Sequence, residues 1–421
     1  MIRITGGRVF TPMGMIEADV WIEGDTVVAV GGDGRLTANL VIDATGMLVG
    51  PGFVDIHTHL REPGQVWKED IASGTRAAAA GGYTAVVAMP NTDPAIDTAE
   101  RVELVIDAGV LAGNCHVAVA GALTVGRKGT EPADLVSMYD HGVCLFTDDG
   151  DSISDGRVLG AVMEKAAGLK DVVIGQHAED VALSEGGHLN TGAAADASGL
   201  RGIPSEAEWS VVARDLDLAR TTGVHYHAQH LSTAQSVDLI RRAKEEGMRV
   251  TAEVTPHHLT FDDSYLFSLD TNLKMYPPIR SVSDMDALRD GLSDGTIDAV
   301  ATDHAPHTND EKAVGFEEAP RGVIGLETAA AAVWDVIPAP ERFFEVMSVN
   351  PARIVGLDRH GIAVEPGSPA NLVVFDPDRE WTVSSFRSRS ANSPYLGRKM
   401  RGRPTVTVYE GVITYEMEGL R

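Results

Sequence analysis

Eight short apolar runs recur between residues 53 and 302, and stretches of helical pattern separate most of them. The runs are 53–59, 84–89, 116–122, 143–147, 172–177, 224–230, 249–254 and 298–302. The helical stretches include 72–80, 99–112, 157–167, 206–221, 233–246 and 284–292. Strand–helix alternation repeated eight times is the pattern of an α/β fold of the (β/α)8 type, with a parallel barrel covered by helices. The competing architecture, a doubly wound open sheet, would carry a Gly-rich phosphate turn after its first strand, and none is present. Before position 50 and after position 356 the pattern changes to short β-type runs separated by Gly and Asp turns. The expectation is a barrel over 50–356 with β-rich flanks at 1–49 and 357–421.

Most of the eight runs end in His, Asp or Asn: HTHLRE, AMPNTD, FTDDG, GQHAED, AQHLS, VTPHH and ATDHAPH. Barrel enzymes carry their chemistry at the C-terminal ends of the strands. His57 and His59 are two apart on one strand and so share a face. His177 and His230 close the fifth and sixth runs, Asp149 follows the fourth and Asp303 the eighth. One His-x-His pair is weak evidence. Four imidazoles and two carboxylates at one barrel end are the inventory of a binuclear divalent-metal site. Two such ions about 3.5–4 Å apart can share a hydroxide that is nucleophilic at neutral pH.

Other histidines read differently. His225 and His227 have strand parity opposite to His230 and are expected to face the helix layer. His304 is expected to orient its neighbour Asp303. His257 and His258 lie near the site, but the set is complete without them. His141, His188 and His360 fall in turn-like stretches and are expected in solvent.

Charge and cysteine usage narrow the function classes. Lys and Arg number 35 and Asp and Glu 61, a net charge of −26. Such acidity argues against nucleic acid and anionic membranes as partners, which require basic patches. Cys115 and Cys144 each sit in an apolar run and read as free thiols of a reducing compartment. No run approaches the roughly 18 apolar residues of a membrane span, and the first residues lack a signal-type core. A cytoplasmic protein acting on a small molecule is the expectation.

PGFVDIHTHLREPG, MPNTDP, FTDDG, QHAED, HLST, EVTPHHL and ATDHAPH resemble the cyclic amidohydrolases, and most closely the long bacterial dihydroorotases. The resemblance covers nearly the whole chain. It implies that the two flanks pack into one small composite β-sandwich domain. It implies that His57 and His59 bind the more buried of two metals and that His177 and His230 bind the other. Asp303 would bind the first metal and shuttle a proton. Many relatives bridge their metals with a carboxylated lysine after strand four; this chain has Thr147-Asp148-Asp149-Gly150. Asp149 is the better match for an aspartate in that place, with Asp148 as the fallback. Two zinc ions per chain are implied, with manganese or cobalt as alternatives.

Arg61, Asn91 and His307 match residues that hold the substrate carboxylate, a task that suits a guanidinium fork. Relatives acting on neutral rings typically lack that Arg. Two positions depart from the family pattern. Tyr276 stands where Asn usually contacts the substrate, so it would reshape that side of the pocket. Arg321-Gly322 stands where Phe-Gly or Pro-Gly is usual, and contact there is largely through backbone. The implied activity is reversible cyclisation of N-carbamoyl-L-aspartate to L-dihydroorotate in pyrimidine synthesis. The alternatives are a hydantoinase, dihydropyrimidinase or allantoinase-like amidase, and a non-catalytic subunit supporting aspartate transcarbamoylase. A homodimer is the default assembly, and association with aspartate transcarbamoylase is a further expectation. The connection 183–204, rich in Gly and Ala, reads as a segment able to move.

Overall fold

The computed structural model describes residues 1–32 and 36–418. All eight expected runs are strands: Phe53–Thr58, Tyr83–Ala88, His116–Val119, Leu145–Phe146, Val173–Gln176, His225–Ala228, Val250–Val254 and Ala299–Val300. They pair in parallel in chain order. Two single bridges, Gly121 to Phe146 and Thr58 to His304, join the remaining neighbours, so the pairing returns to the first strand. The result is a ring of eight parallel strands. Strands covered on both faces read as unbroken apolar runs, which is why the pattern was visible in the sequence.

Local chemistry sets the helix ends. Asp70 and Ser73 form a capping box that starts Ile71–Ala80, and Ser281 with Asp284 does the same for Val282–Asp294. The latter helix stops at Gly295, whose φ of 90° is open to glycine at no steric cost. Tyr226 points out of the ring into the helix layer, where its hydroxyl donates to Asp215 of Glu206–Thr222 at 3.3 Å. Its neighbours His225 and His227 therefore point the other way, inward.

Both ends of the chain share one sheet. Leu48–Pro51 pairs with Ile2–Thr11 on one side and with Leu372–Thr382 on the other. The sheet runs on through Lys399–Tyr409 and Val412–Glu416 at one end, and through Gly14–Glu23 and Thr26–Val30 at the other. Ile4, Val20, Ile42, Val49, Leu372 and Val406 form its own apolar core. Phe53, Phe343, Phe344 and Phe375 pack together in edge-to-face and tilted pairs where this sheet meets the ring.

The 183–204 connection has structure of its own, with a parallel pair Leu189–Asn190 and Gly202–Ile203 around the helix Ala193–Ser198. His360 is buried rather than solvated, within hydrogen-bond reach of Thr84 Oγ1 at 3.2 Å and stacked on Tyr409. Burial is the first cause that pushes its pKa down, to about 3. No helix among the described residues is long and apolar enough to cross a membrane.

Candidate active site

The strand ends converge on a cavity of about 250 Å³, bordered by His59, Arg61, Asn91, Asp149, His177, His230, Tyr276, Asp303, His307, Arg321 and Gly322. His57 lies directly beneath, fully buried. Several of these residues leave their strands through strained backbone. Arg61 (φ 63°), His230 (φ 32°) and Asp303 (φ 47°) all sit in the left-handed region. Each such residue costs on the order of 1–3 kcal/mol and persists only where the surroundings hold it. The turn at His230 also explains the failure of strand parity. His230 lies beyond the end of its strand, so its direction does not follow from that of His227.

Asp149 is the centre of the cluster. Its Oδ2 lies 3.2 Å from His57 Nε2 and 3.4 Å from His59 Nε2. Its Oδ1 lies 3.3 Å from His230 Nε2 and 3.7 Å from His177 Nδ1. One carboxylate therefore addresses two imidazole pairs, one with each oxygen. Asp303 joins the first pair, with Oδ1 2.8 Å from His59 Nε2. Asp148 turns away, and its carboxylate accepts the backbone N–H groups of Leu123 and Thr124 at 2.8 and 3.1 Å.

Two donor sets that share His57 suit a cation: His57, His59 and Asp303, and His57, Asp149 and His230, each with ligand atoms within 4.8 Å of one another. His57 Nε2 is a buried atom without a hydrogen-bond partner, and it faces into the first set. Buried imidazole and carboxylate donors of this kind fit borderline divalent ions. The electrostatics agree. Burial alone would raise the Asp149 pKa, but His57, His230 and His59 outweigh it and hold the carboxyl well below its usual range. Burial alone would lower that of His57, and Asp149 and Glu253 outweigh it in turn. The carboxylates require positive charge at this spot, and the imidazoles can yield that task to a metal ion.

A second layer fixes the rings. His57 Nδ1 lies 2.6 Å from Glu253 Oε1, and His59 Nδ1 lies 2.7 Å from Asn91 Oδ1. Each leaves its Nε2 aimed into the cluster, and such outer partners set tautomer and orientation. Glu253 also lies 3.2 Å from His227 Nε2. The inward-facing His227 is thus a support beneath the site, contrary to the expectation from parity. His304 does not orient Asp303: its Nδ1 accepts Gly325 N–H at 3.2 Å, and its Nε2 faces Glu69 at 3.5 Å.

Arg61, His307, Tyr276 and Arg321 border the same cavity. Arg61 is 8% exposed, and its Nε donates to the Pro306 carbonyl at 3.3 Å. Burial lowers its pKa to about 10, which leaves it charged at neutral pH. His307 is neutral, because burial first, and Arg61 and Lys68 next, push its pKa down to about 2. Both of its ring nitrogens are engaged: Nε2 donates to the Arg321 carbonyl at 2.8 Å, and Nδ1 accepts from Lys68 at 3.3 Å. The Tyr276 ring packs 5.0 Å from that of His177, and the Arg321 guanidinium lies 3.7 Å above Tyr276.

A model of the dihydro-orotase-like family matches residues 46–236. A dihydroorotase of Caldanaerobacter subterraneus subsp. tengcongensis is 44% identical over 99% of this chain and 97% of its own length. One of Mycobacterium leprae is 45% identical over 94% of this chain and 95% of its own. The chain belongs to the dihydroorotase family. Among solved structures, L-hydantoinase (dihydropyrimidinase) from Arthrobacter aurescens superposes with a TM-score of 0.86 at 25% identity, covering 99% of this chain and 96% of that one.

Within this dihydroorotase-family chain, Glu253 is the supporting residue that the sequence reading passed over. Its signal was a carboxylate inside an apolar strand, AEV, where an unpaired charge is expensive. Lys68 was also passed over. It carried no signal, because it lies in a loop whose course is not set by strand or helix periodicity.

Proposed function

We propose that this chain interconverts N-carbamoyl-L-aspartate and L-dihydroorotate, working as a metal-dependent cyclic amidase. We read the ring of eight parallel strands as a (β/α)8 barrel over 50–356, with 1–49 and 357–421 as one composite β domain beside it. The observation that carries the proposal is that the buried Arg61 guanidinium borders the same cavity as the Asp149-centred cluster. That arrangement suits a ring bearing a carboxylate at one end and a reactive amide at the other.

In this reading His57, His59 and Asp303 would hold one divalent ion and His177 and His230 a second, with the Asp149 carboxylate available to either. Zinc is the first choice for this donor set, with manganese or cobalt as substitutes. Bound ions of this kind lower the pKa of water and polarise a carbonyl oxygen. The protein's own groups do the rest. Asp303, with an oxygen at the mouth of the cluster, takes the proton of the attacking water and returns it to the ring nitrogen as the C–N bond breaks. Burial would raise its pKa, and contacts with His59 and His57 reverse the shift, so it is ionised and ready to accept. Arg61 pairs with the substrate carboxylate and fixes the carbonyl over the cluster. Asn91 spends its oxygen on His59, so its amide N–H groups are the ones available to substrate.

Two free cysteines among the described residues support a reducing, cytoplasmic setting. A homodimer follows from the prevalence of twofold assemblies. The test is a ring-opening assay on zinc-supplemented protein, with L-dihydroorotate run beside dihydrouracil, hydantoin and allantoin. Turnover confined to dihydroorotate is expected. Preferential turnover of a neutral ring would refute the role given to Arg61.

A further inference from the structure

The connection between Leu372–Thr382 and Lys399–Tyr409 leaves the terminal sheet and crosses to the mouth of the ring. It does not lie loosely there. Arg387 N–H donates to Glu327 at 2.7 Å, and Ser390 Oγ donates to the Lys68 carbonyl at 2.7 Å. Ser388 and Arg389 bind Glu69. At its centre is Asn392, which is 2% exposed.

Asn392 uses its whole side-chain amide. Its Nδ2 donates to the Ala305 carbonyl at 3.0 Å and to the Gly322 carbonyl at 3.1 Å. Its Oδ1 accepts the His307 N–H at 3.0 Å. The segments 305–307 and 321–322 are thus clamped together, and His307 Nε2 closes the same clamp on the Arg321 carbonyl at 2.8 Å. Between Ala305 and His307 lies Pro306, whose carbonyl accepts Arg61 Nε at 3.3 Å. One hydrogen-bonded path therefore runs from Asn392 to the guanidinium.

We propose that Asn392 is a positioning residue for substrate specificity: through segment 305–307 it holds Arg61 in the pose that receives the substrate carboxylate. The C-terminal part of the chain thereby contributes to the pocket of the ring. The alternative is a purely structural tie, and the two differ in what they predict. This inference rests on the carboxylate role given to Arg61, and the experiment separates the two.

Steady-state ring opening of L-dihydroorotate is measured for the parent protein, Asn392→Ala, Arg61→Met and the double variant, with thermal melting and metal content as controls. Loss of the clamp frees Arg61 to shift, and misplacement of a binding group by about 1 Å can cost up to about 100-fold. Asn392→Ala is expected to raise KM about tenfold with kcat changed less than about threefold. In the Arg61→Met background the same substitution is expected to add less than about twofold, because its target is gone. Independent, multiplying effects, or a fall in kcat at unchanged KM, would overturn the inference. An Arg61→Met variant with unchanged KM would instead overturn the carboxylate reading, and this inference with it. Should Asn392→Ala fail to fold, Asn392→Ser carries the same cycle. Its small hydroxyl leaves no buried charge against the Ala305 and Gly322 carbonyls and can keep at most part of the clamp, so its KM is expected to lie between parent and Ala.

Discussion

Glu253→Gln perturbs the site while leaving every candidate ligand in place. Glu253 is 1% exposed. Its Oε1 lies 2.6 Å from His57 Nδ1 and accepts the His230 N–H at 3.2 Å, while Oε2 lies 3.2 Å from His227 Nε2. Glutamine has the same shape but only one acceptor oxygen. If that oxygen keeps His57 and His230, the amide N–H faces His227, which can turn to its other tautomer and accept. The geometry then survives and the charge is lost. A hydrogen bond to a charged group contributes about 1.5–3 kcal/mol, against about 0.5–1.5 kcal/mol for a neutral one. The difference is on the order of 1–1.5 kcal/mol, close to the 1.4 kcal/mol that corresponds to tenfold in an equilibrium constant. Outer-layer partners of metal-bound histidines cost about 10- to 100-fold when altered, so the expected loss of zinc affinity is about tenfold. The assay is competition for zinc against a chromogenic chelator, with circular dichroism to confirm the fold. A zinc affinity equal to the parent's would refute the argument that Glu253 holds His57 ready as a ligand.

Three further outcomes follow from the same geometry. Asp303→Asn is expected to lower kcat by about 10²- to 10⁴-fold, the range of a lost general base, with the circular dichroism spectrum unchanged; near-normal turnover would remove its proton-transfer role. His177→Ala is expected to reduce bound metal from two ions per chain to one, measured by elemental analysis after equilibrium dialysis; retention of both would show that the His177–His230 pair is not a separate site. His360→Phe is expected to flatten the acid limb of stability. The His360 pKa falls from 6.5 to about 3 on folding, so the unfolded chain takes up the proton first, and stability present above pH 6.5 is lost as pH falls. At pH 5 that loss is about 2 kcal/mol relative to pH 8. Denaturant unfolding of parent and variant at both pH values checks it, and an unchanged difference would refute the assignment.

The ring was legible because its signal is local. Runs buried on both faces, broken by capped helices, repeat eight times, and each boundary lies within a few residues of its expected place. The strand-end histidines and aspartates were legible for the same reason. What failed was direction. Parity arguments hold inside a strand, and His230 and Asp303 lie past the strand ends at φ of 32° and 47°. Counting back from His230 across that turn directs His227 outward, whereas it points inward onto Glu253. Asn392 was invisible for a different reason. Its three partners are 70 to 87 residues away, and no periodicity connects a loop between two strands of the terminal sheet with the mouth of a ring. His360 followed a Gly- and Asp-rich turn pattern, and burial against Tyr409 and Thr84 is decided by tertiary packing alone.

Tyr276 and Arg321 show what reading positions singly leaves out. In the sequence they are two separate departures from a family pattern, 45 residues apart. In the structure they are one feature. The Arg321 guanidinium lies 3.7 Å over the Tyr276 ring, that ring packs 5.0 Å from His177, and Arg321 donates to the Gly187 carbonyl at 2.7 Å. A partly buried guanidinium needs partners. The carbonyl supplies one and the aromatic face another, a contact of about 0.5–2 kcal/mol. An amide side chain at 276 would offer no such face, and an apolar side chain at 321 would leave the ring without its cation. Each substitution therefore removes the cost of the other. Together they build a wall that reaches from the His177 side of the cluster to the 184–187 segment, where Tyr276 Oη also approaches Ser184 Oγ at 3.5 Å. Tyr276 and Arg321 border the same cavity as Arg61. The hydrogen bonds of Arg61 run to Pro306 and His307 instead, so these departures are compatible with the substrate class proposed above.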